Sequence, residues 1–339
     1  MMDNLLTIGK NDLKDICTET ANRLGMSAIA IEKDLWVCFM LHTIFSDPFL
    51  KGIFRFKGGT SLSKAYALIQ RFSEDIDLIL DWRMLGFSED EPWQTRSSTA
   101  QGKFNINAND KAAVYICSEI LPALKRSIKE KLGNDVDISI DDLDPQTIVF
   151  RYPHIYESTY LSPSIRLEIG PLAAWTPTEK REIKPYILDV FPNAFLDLSI
   201  SVDTVVPERT FWEKATILHH EANRPLKSSM PARYARHYYD IFMMTRTFVK
   251  KKAFENIRLL EDVIAFKEKF YPRNWAEYGN AVPPTIKLVP PGFRIPSLRH
   301  DYENMKEMLY GKIPAFDKII ENIEHLEDEI HKLPYNPAI

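Results

Sequence analysis

Two glycines followed by two hydroxyl residues, Gly58-Gly59-Thr60-Ser61, stand at the head of a helical pattern, and the triplet Asp75-Ile76-Asp77 opens a strand-like run soon after. No other part of the chain restricts its fold as much. Glycines let backbone amides come close to a ligand, and the first turn of a helix leaves amides unpaired beside a partial positive charge. The pattern therefore reads as a cradle for phosphate. Side chains two apart on a strand share a face, so Asp75 and Asp77 are expected to project together while Ile76 and Leu78 enter a core. Two adjacent carboxylates repel unless a cation lies between them, and hard Mg²⁺ is the usual cation beside phosphates. Cradle and carboxylate pair together point to nucleotide chemistry.

The rest of the chain narrows the classes. At 339 residues, 45% hydrophobic and 27% charged, it is long enough for two cores. The stretch from Ile29 to Phe45 is broken by Glu32, Lys33 and Asp34, so it falls short of the roughly 18 uninterrupted apolar residues of a membrane span. Without a basic region, apolar run and cleavage site at the N-terminus, the expected location is the cytoplasm. Cys17, Cys38 and Cys117 are scattered, odd in number and set in apolar helical patterns, as core thiols are. A formal net charge of −4 argues against a coat of positive charge for indiscriminate nucleic-acid binding. Local basic candidates are Lys180-Arg181 with Lys184, Arg224 with Lys227, Arg233 with Arg236, and Lys250-Lys251-Lys252, each read first as a solvated face.

Apolar spacing predicts two helices between Asn11 and Phe45, a strand near Ile53 to Phe56, a helix beginning at Thr60 or Ser61, and the Asp-x-Asp strand. Residues Glu89 to Asn109 lack periodicity and read as a surface loop, followed by a helix over Asp110 to Leu132. Alternation then predicts strands at Val136–Ile140, Thr147–Tyr152, Ser164–Ile169 and Phe195–Val202, completing a mixed sheet. In Ser164–Ile169 the apolar residues take one face and leave Arg166 and Glu168 on the other; Asp137, Asp141 and Asp197 also sit opposite apolar faces. From Pro207 long helices take over, one starting at Pro207-Glu208 and another holding Arg233, Arg236, His237 and Asp240, with Arg233, Arg236 and Asp240 along one stripe. His219, His220 and His237 show no metal-ligand spacing and read as structural or surface residues. Six prolines between Pro272 and Pro296 exclude a helix or central strand there. Two helices, near Leu298–Leu309 and Pro314–Leu333, close the chain. The expected organisation is a catalytic α/β domain over residues 1–205 and a helical domain over 206–339.

The Gly-Gly-Thr-Ser and Asp-x-Asp pair resembles the nucleotidyltransferase superfamily, and more narrowly the AbiEii/AbiGii toxin family. Ile31-Glu32-Lys33-Asp34-Leu35-Trp36, Phe56-Lys57-Gly58-Gly59-Thr60-Ser61-Leu62, Phe72-Ser73-Glu74-Asp75-Ile76-Asp77, Arg236-His237-Tyr238-Tyr239-Asp240-Ile241 and Asp301-Tyr302-Glu303-Asn304-Met305 fall in family order. The resemblance implies an α/β (α+β) nucleotidyltransferase fold with a mixed sheet and a C-terminal helical domain. It also implies a metal-dependent enzyme that takes a nucleoside monophosphate from an NTP and releases pyrophosphate, using Mg²⁺ or Mn²⁺.

On the same resemblance, Asp75 and Asp77 bind the metal and Glu168 matches the superfamily's third carboxylate. Lys57, Gly58, Gly59, Thr60, Ser61, Arg71 and Ser73 contact the nucleotide, Lys214 stands where the family carries a functional lysine after a glutamate, and Asp240 orients Lys214 or touches base or sugar. The implied acceptor is RNA, the 3′ end of tRNA in some members. The implied partner is an antitoxin with a winged-helix part, in a system restraining growth during phage infection. Rival readings are a two-metal nuclease using the same carboxylates and a non-catalytic nucleotide binder acting by protein contact.

Overall fold

The computed structural model describes residues 8–73, 75–157, 162–195 and 198–335. It divides into two compact units: residues 1–66 with 72–205, and residues 67–71 with 206–339. Among the described residues no helix is long and apolar enough to cross a membrane.

The first unit is built on a seven-stranded mixed sheet of order β3-β4-β5-β2-β1-β7-β6. The strands are β1 (Phe54–Lys57), β2 (Asp75–Leu80), β3 (Asp137–Ile140), β4 (Thr147–Arg151), β5 (Ser164–Gly170), β6 (Thr178–Ile183) and β7 (Ile200–Val205). Strand β2 runs antiparallel to β1 and parallel to β5. One face carries Phe54, Phe56, Ile76, Leu78, Ile148, Phe150, Ile165 and Leu167, all buried. Helices α1 (Lys10–Leu24) and α2 (Ala28–Ser46) precede the sheet, and α2 packs across β5 and β7. Trp36 of α2 meets Phe150 edge-on at 5.8 Å and stacks on Tyr152 at 5.5 Å, an arrangement worth about 1 kcal/mol beyond burial. The short helix α3 (Gly58–Lys64) follows β1 directly and packs on β2.

Three sequence expectations need correction in this unit. The polar stretch read as a loop is mostly helix: α4 (Ser98–Tyr115) begins at Ser97, whose hydroxyl accepts from Ala100 N–H at 3.3 Å, and continues through a π-helical turn at Ile116–Ile120 into α5 (Leu121–Leu132). Its only buried residues are Gln101, Ala108 and Ala112, a stripe too thin and too polar to show as apolar periodicity. Strand β6 was not foreseen because Glu179, Lys180, Arg181 and Glu182 are charged, as an edge strand needs to be to resist further pairing. Strand β7 starts at Ile200, later than the pattern suggested, and Phe195, where it was expected to begin, adopts φ 54°, outside the strand region; Asp197 lies outside the described residues. The thiols of Cys17 and Cys38 are buried, whereas Cys117, in the π-helical turn, is exposed. Burial pushes the Cys17 thiol up to about 12, with Glu32 and Asp34 adding to the shift, so it is chemically inert at neutral pH.

The second unit is helical: α6 (Pro207–Ala222), α7 (Ala235–Thr245), α8 (Phe248–Glu255), α9 (Arg258–Phe270), α10 (Ile295–Met305) and α11 (Phe316–His331). Pro207 suits the first position of α6, where its missing N–H is not needed. Phe211, Trp212, Ala215 and Leu218 of α6 are fully buried among α7, α8 and α9. The proline-rich segment is irregular and tied to the helices by its backbone. The Lys287 amide donates to His219 Nδ1 at 2.9 Å, and the Leu288 and Val289 amides donate to Glu327. Residues 67–71 join this unit, with Arg71 bridging Leu309 and Tyr310 N–H donating to the Gln70 carbonyl at 3.0 Å.

Candidate functional site

The face of the sheet opposite the apolar one is charged. Along β2 the residues Asp75 and Asp77 share it, and the parallel register with β5 sets Asp75 beside Arg166 and Asp77 beside Glu168. From the other side, Lys57 at the end of β1 lies directly across from Asp77. Three carboxylates and two cations therefore alternate over three adjacent strands, and opposite charges across a ladder relieve carboxylate repulsion. Arg166 reflects this setting. Partial burial opposes its charge, but a 2.7 Å bond to Asp141 and the fields of Asp75 and Glu168 hold its pKa above the usual arginine value. Of the other acids considered from sequence, Asp141 accepts the amides of Leu143 and Asp144 besides its bond to Arg166, and Asp137 on the edge strand β3 pairs with Arg151 of β4. Among the described residues, no group of three His, Cys, Asp or Glu side chains converges on a metal-sized point.

Gly58 is where the cradle and the carboxylates meet. Its φ is +83°, and a Cβ placed there would come within 1.8 Å of Asp77 Oδ2. Only glycine tolerates both the left-handed backbone and the carboxylate pressed against it. Helix α3 starts at Gly58 itself, ahead of the Thr60 or Ser61 that the pattern suggested, with Gly59 half-buried in its first turn. The hydroxyls that follow face inward. Thr60 Oγ1 donates to the Asp75 carbonyl and lies 3.3 Å from the Ser73 carbonyl, and Ser61 Oγ donates to the Gly58 carbonyl at 2.8 Å. Both residues are fully buried. In this structure Thr60 is a clasp that fixes the start of α3 to the start of the Asp-x-Asp strand.

The second unit holds a separate charged cluster. Asp240 on α7 is fully buried and accepts from Arg71 Nε at 2.7 Å and Nη2 at 2.9 Å, while Lys214 Nζ of α6 sits 2.8 Å from Oδ2. Burial alone raises a carboxyl pKa, yet the two cations outweigh it and hold Asp240 well below the ordinary carboxylate range. Burial, with Arg71 and Arg236 nearby, lowers the Lys214 ammonium below the usual lysine value against the pull of Asp240. His237 is pushed well below its usual value by burial and by Lys214 and Arg236, so it is neutral at pH 7 and adds no charge. Arg233 does not belong to the helical stripe expected of it. It precedes α7 with φ 65°, and its amide and that of Ala235 both donate to Asp301 at 2.7 Å. Asp301 thus caps the helix that carries Asp240, which links two of the sequence motifs physically.

Sequence reading missed a second buried set. Glu32, Lys33 and Asp34 are consecutive charges on α2, all at most 1% exposed. Glu32 accepts the amides of Ile155 and Tyr156, Lys33 donates to the Ser162 carbonyl at 2.8 Å, and Asp34 pairs with Lys64 of α3 at 2.6 Å and accepts from Tyr186 N–H. The signal available was three charges inside an otherwise apolar helix. Most basic clusters considered for nucleic acid are matched by acids: Arg181 with Glu179, Lys184 with Asp189, Arg224 with Glu221, and Lys250 with Glu329.

Comparison with known proteins is consistent with this layout. A family profile described as "Nucleotidyl transferase AbiEii toxin, Type IV TA system" matches residues 39–322, a stretch that starts just after the Ile31–Trp36 motif. Among solved structures the chain is similar to MenT4, a nucleotidyltransferase toxin from Mycobacterium tuberculosis H37Rv. The match has a TM-score of 0.50 and 15% identity, and it covers 95% of this chain and 90% of that one. That likeness is one of fold. No relative among curated proteins matches the sequence.

Proposed function

This chain belongs to the AbiEii nucleotidyl transferase toxin family of type IV toxin–antitoxin systems, and from that premise we propose that it transfers a nucleoside monophosphate from an NTP to the 3′ end of an RNA acceptor, tRNA in particular. The observation that carries the reading is the acidic face of β2 and β5, where Asp77 and Glu168 are register partners, Asp75 shares their side, and Gly58 leaves its backbone bare against Asp77.

The donor set is hard oxygen, which suits Mg²⁺ or Mn²⁺ better than soft ions. In this reading Asp75, Asp77 and Glu168, which do not converge on one point in this structure, would hold the ion, which would supply positive charge against the triphosphate and the departing pyrophosphate. Glu168 or Asp75 accepts the proton of the attacking hydroxyl. Backbone amides of Gly58 and Gly59, rather than the inward-turned Thr60 and Ser61 hydroxyls, approach phosphate oxygens, and Lys57 offers charge beside Asp77. Arg71 and Lys214, held in place by Asp240, supply charge to phosphate, since only fixed cations offset such charge away from water. Family membership implies an antitoxin partner; we propose the winged-helix type and a role in restraining growth during phage infection.

The test is incubation of the protein with each of four labelled NTPs and total cellular RNA, with Mg²⁺ or Mn²⁺. The reading expects tRNA-sized species to lengthen with label. Shortening of RNA without NTP would replace it with cleavage, and neither change in the presence of growth inhibition would favour action by protein contact.

A further inference from the structure

The second unit has a groove of about 490 Å³ between α7, α11 and the loop ahead of α11, with Gln70 at its edge. Its apolar lining includes Ile313, which is exposed, and Phe242, whose ring is buried. Its rim carries Arg246, Lys312, Lys318 and His325. Glu321, the acid among these wall residues, is already bonded to Lys318 at 2.6 Å. The Arg246 guanidinium lies over the Phe242 ring at 5.2 Å. Asn322 accepts from Thr245 Oγ1 at 2.9 Å through its carbonyl oxygen, so its NH₂ group remains for another partner. With Lys318 matched by Glu321, Arg246 and Lys312 leave a local excess of positive charge in a chain of net charge −4, beside the exposed apolar surface of Ile313.

Two cations beside an exposed apolar side chain, with an amide donor at the side, suit one nucleotide of a single strand: phosphate to Arg246 and Lys312, base against Ile313, and a base edge to Asn322. The volume falls in the range of a small-ligand site. The groove also shares two elements with the Arg71–Asp240–Lys214 cluster. Gln70 precedes Arg71, and Phe242 follows Asp240 by two positions on α7. Gln70 is seated by Gly311, where any Cβ would come within 2.8 Å of its side chain. We propose that this groove binds an unpaired nucleotide of the RNA acceptor; this rests on the RNA-acceptor reading above.

The experiment compares wild type, the double variant Arg246→Glu/Lys312→Glu, and Lys251→Glu, which alters an exposed lysine on α8 beside Glu255. Binding of a fluorescein-labelled single-stranded oligoribonucleotide of about 12 nucleotides is followed by anisotropy across a salt series, alongside transfer kinetics. The double variant should bind about tenfold more weakly. Its slope of log K against log salt should be shallower by about 1.4, the value for two lost phosphate contacts to a single strand. The RNA KM should rise about tenfold while the NTP KM stays within about twofold. Unchanged RNA binding in a folded double variant overturns the groove assignment, as does an equal loss in Lys251→Glu. Loss of antitoxin binding with RNA affinity intact also overturns it, in favour of a protein partner. If wild type binds RNA through these residues but never transfers label, the groove stands and the transferase reading falls.

Discussion

Replacing Asp240 with asparagine keeps the volume of the side chain and removes its charge. The wild-type carboxylate satisfies three short contacts, two from Arg71 and one from Lys214, with no exposure to water. Asparagine offers one acceptor oxygen and turns an NH₂ toward cations, so two buried positive charges lose their partner. Breaking one buried pair costs about 3 to 5 kcal/mol, and with two cations orphaned the expected loss is near the top of that range. At roughly 2 °C per kcal/mol for a chain of this size, Tm should fall by about 10 °C. Urea unfolding followed by tryptophan fluorescence is a suitable assay, since Trp212 and Trp275 lie in the same unit. The pH dependence supplies a second check. Asp240 is held below its unfolded value of about 3.9, so between the two values the unfolded chain binds more protons and stability rises with pH. The stabilisation is thus complete above about pH 5 and is lost as pH falls through the folded value, so the gap between wild type and variant should be flat near neutrality and shrink below about pH 4. A loss under about 1 kcal/mol at pH 7, or a gap that is the same at pH 3, would refute the assignment of Asp240 as the hub of this cluster. The same reasoning means that lost activity in an Asp240 variant cannot by itself mark a catalytic residue.

Gly58→Ala should leave the sheet folded but reduce transfer at least a hundredfold, because the new Cβ displaces Asp77; NTP titration and far-UV circular dichroism separate the two effects. Lys214→Ala should weaken triphosphate use far more than Lys251→Ala, since a buried charge-assisted contact is worth roughly 1.5 to 3 kcal/mol and the Lys251 side chain is 81% exposed; equal losses would show general electrostatics. Because burial lowers the Lys214 pKa, the alkaline limb of kcat/KM should fall below the ordinary lysine range in wild type and vanish in Lys214→Ala. Induced expression of wild type should arrest growth while Asp77→Ala at equal soluble level does not; arrest by both would point to protein contact.

Much of the sheet was legible in the sequence because apolar and polar residues alternate along β5 and the first half of β2, while β4 is a short β-branched and aromatic run buried on both faces. The same alternation places Glu168 on the side of Asp75 and Asp77, although only the register makes it the neighbour of Asp77. Where the signal failed, the cause was tertiary. Helix α4 buries too little to show a period, and β6 is charged because it is an edge. Residues Glu32, Lys33 and Asp34 look solvent-exposed until their partners at Ile155, Ser162 and Lys64 are brought in from distant sequence. The glycine at 58 was visible as a cradle residue, but its contact with Asp77 was not, since it depends on β1 and β2 pairing. Likewise Thr60 and Ser61 read as phosphate ligands because their hydroxyls are polar, while in the fold nearby carbonyls claim them first.

The central claim, nucleotidyl transfer from the acidic face of β2 and β5, is tested most directly by following the fate of two labels in one reaction. With wild-type protein, divalent metal and RNA, label at the α-phosphate of the NTP should enter the acceptor and label at the γ-phosphate should leave as pyrophosphate in equal amount. Neither should occur with Asp77→Asn, which keeps the side-chain volume and removes one carboxylate charge. Incorporation of the γ-label into RNA, or undiminished α-label transfer by folded Asp77→Asn, would contradict the account.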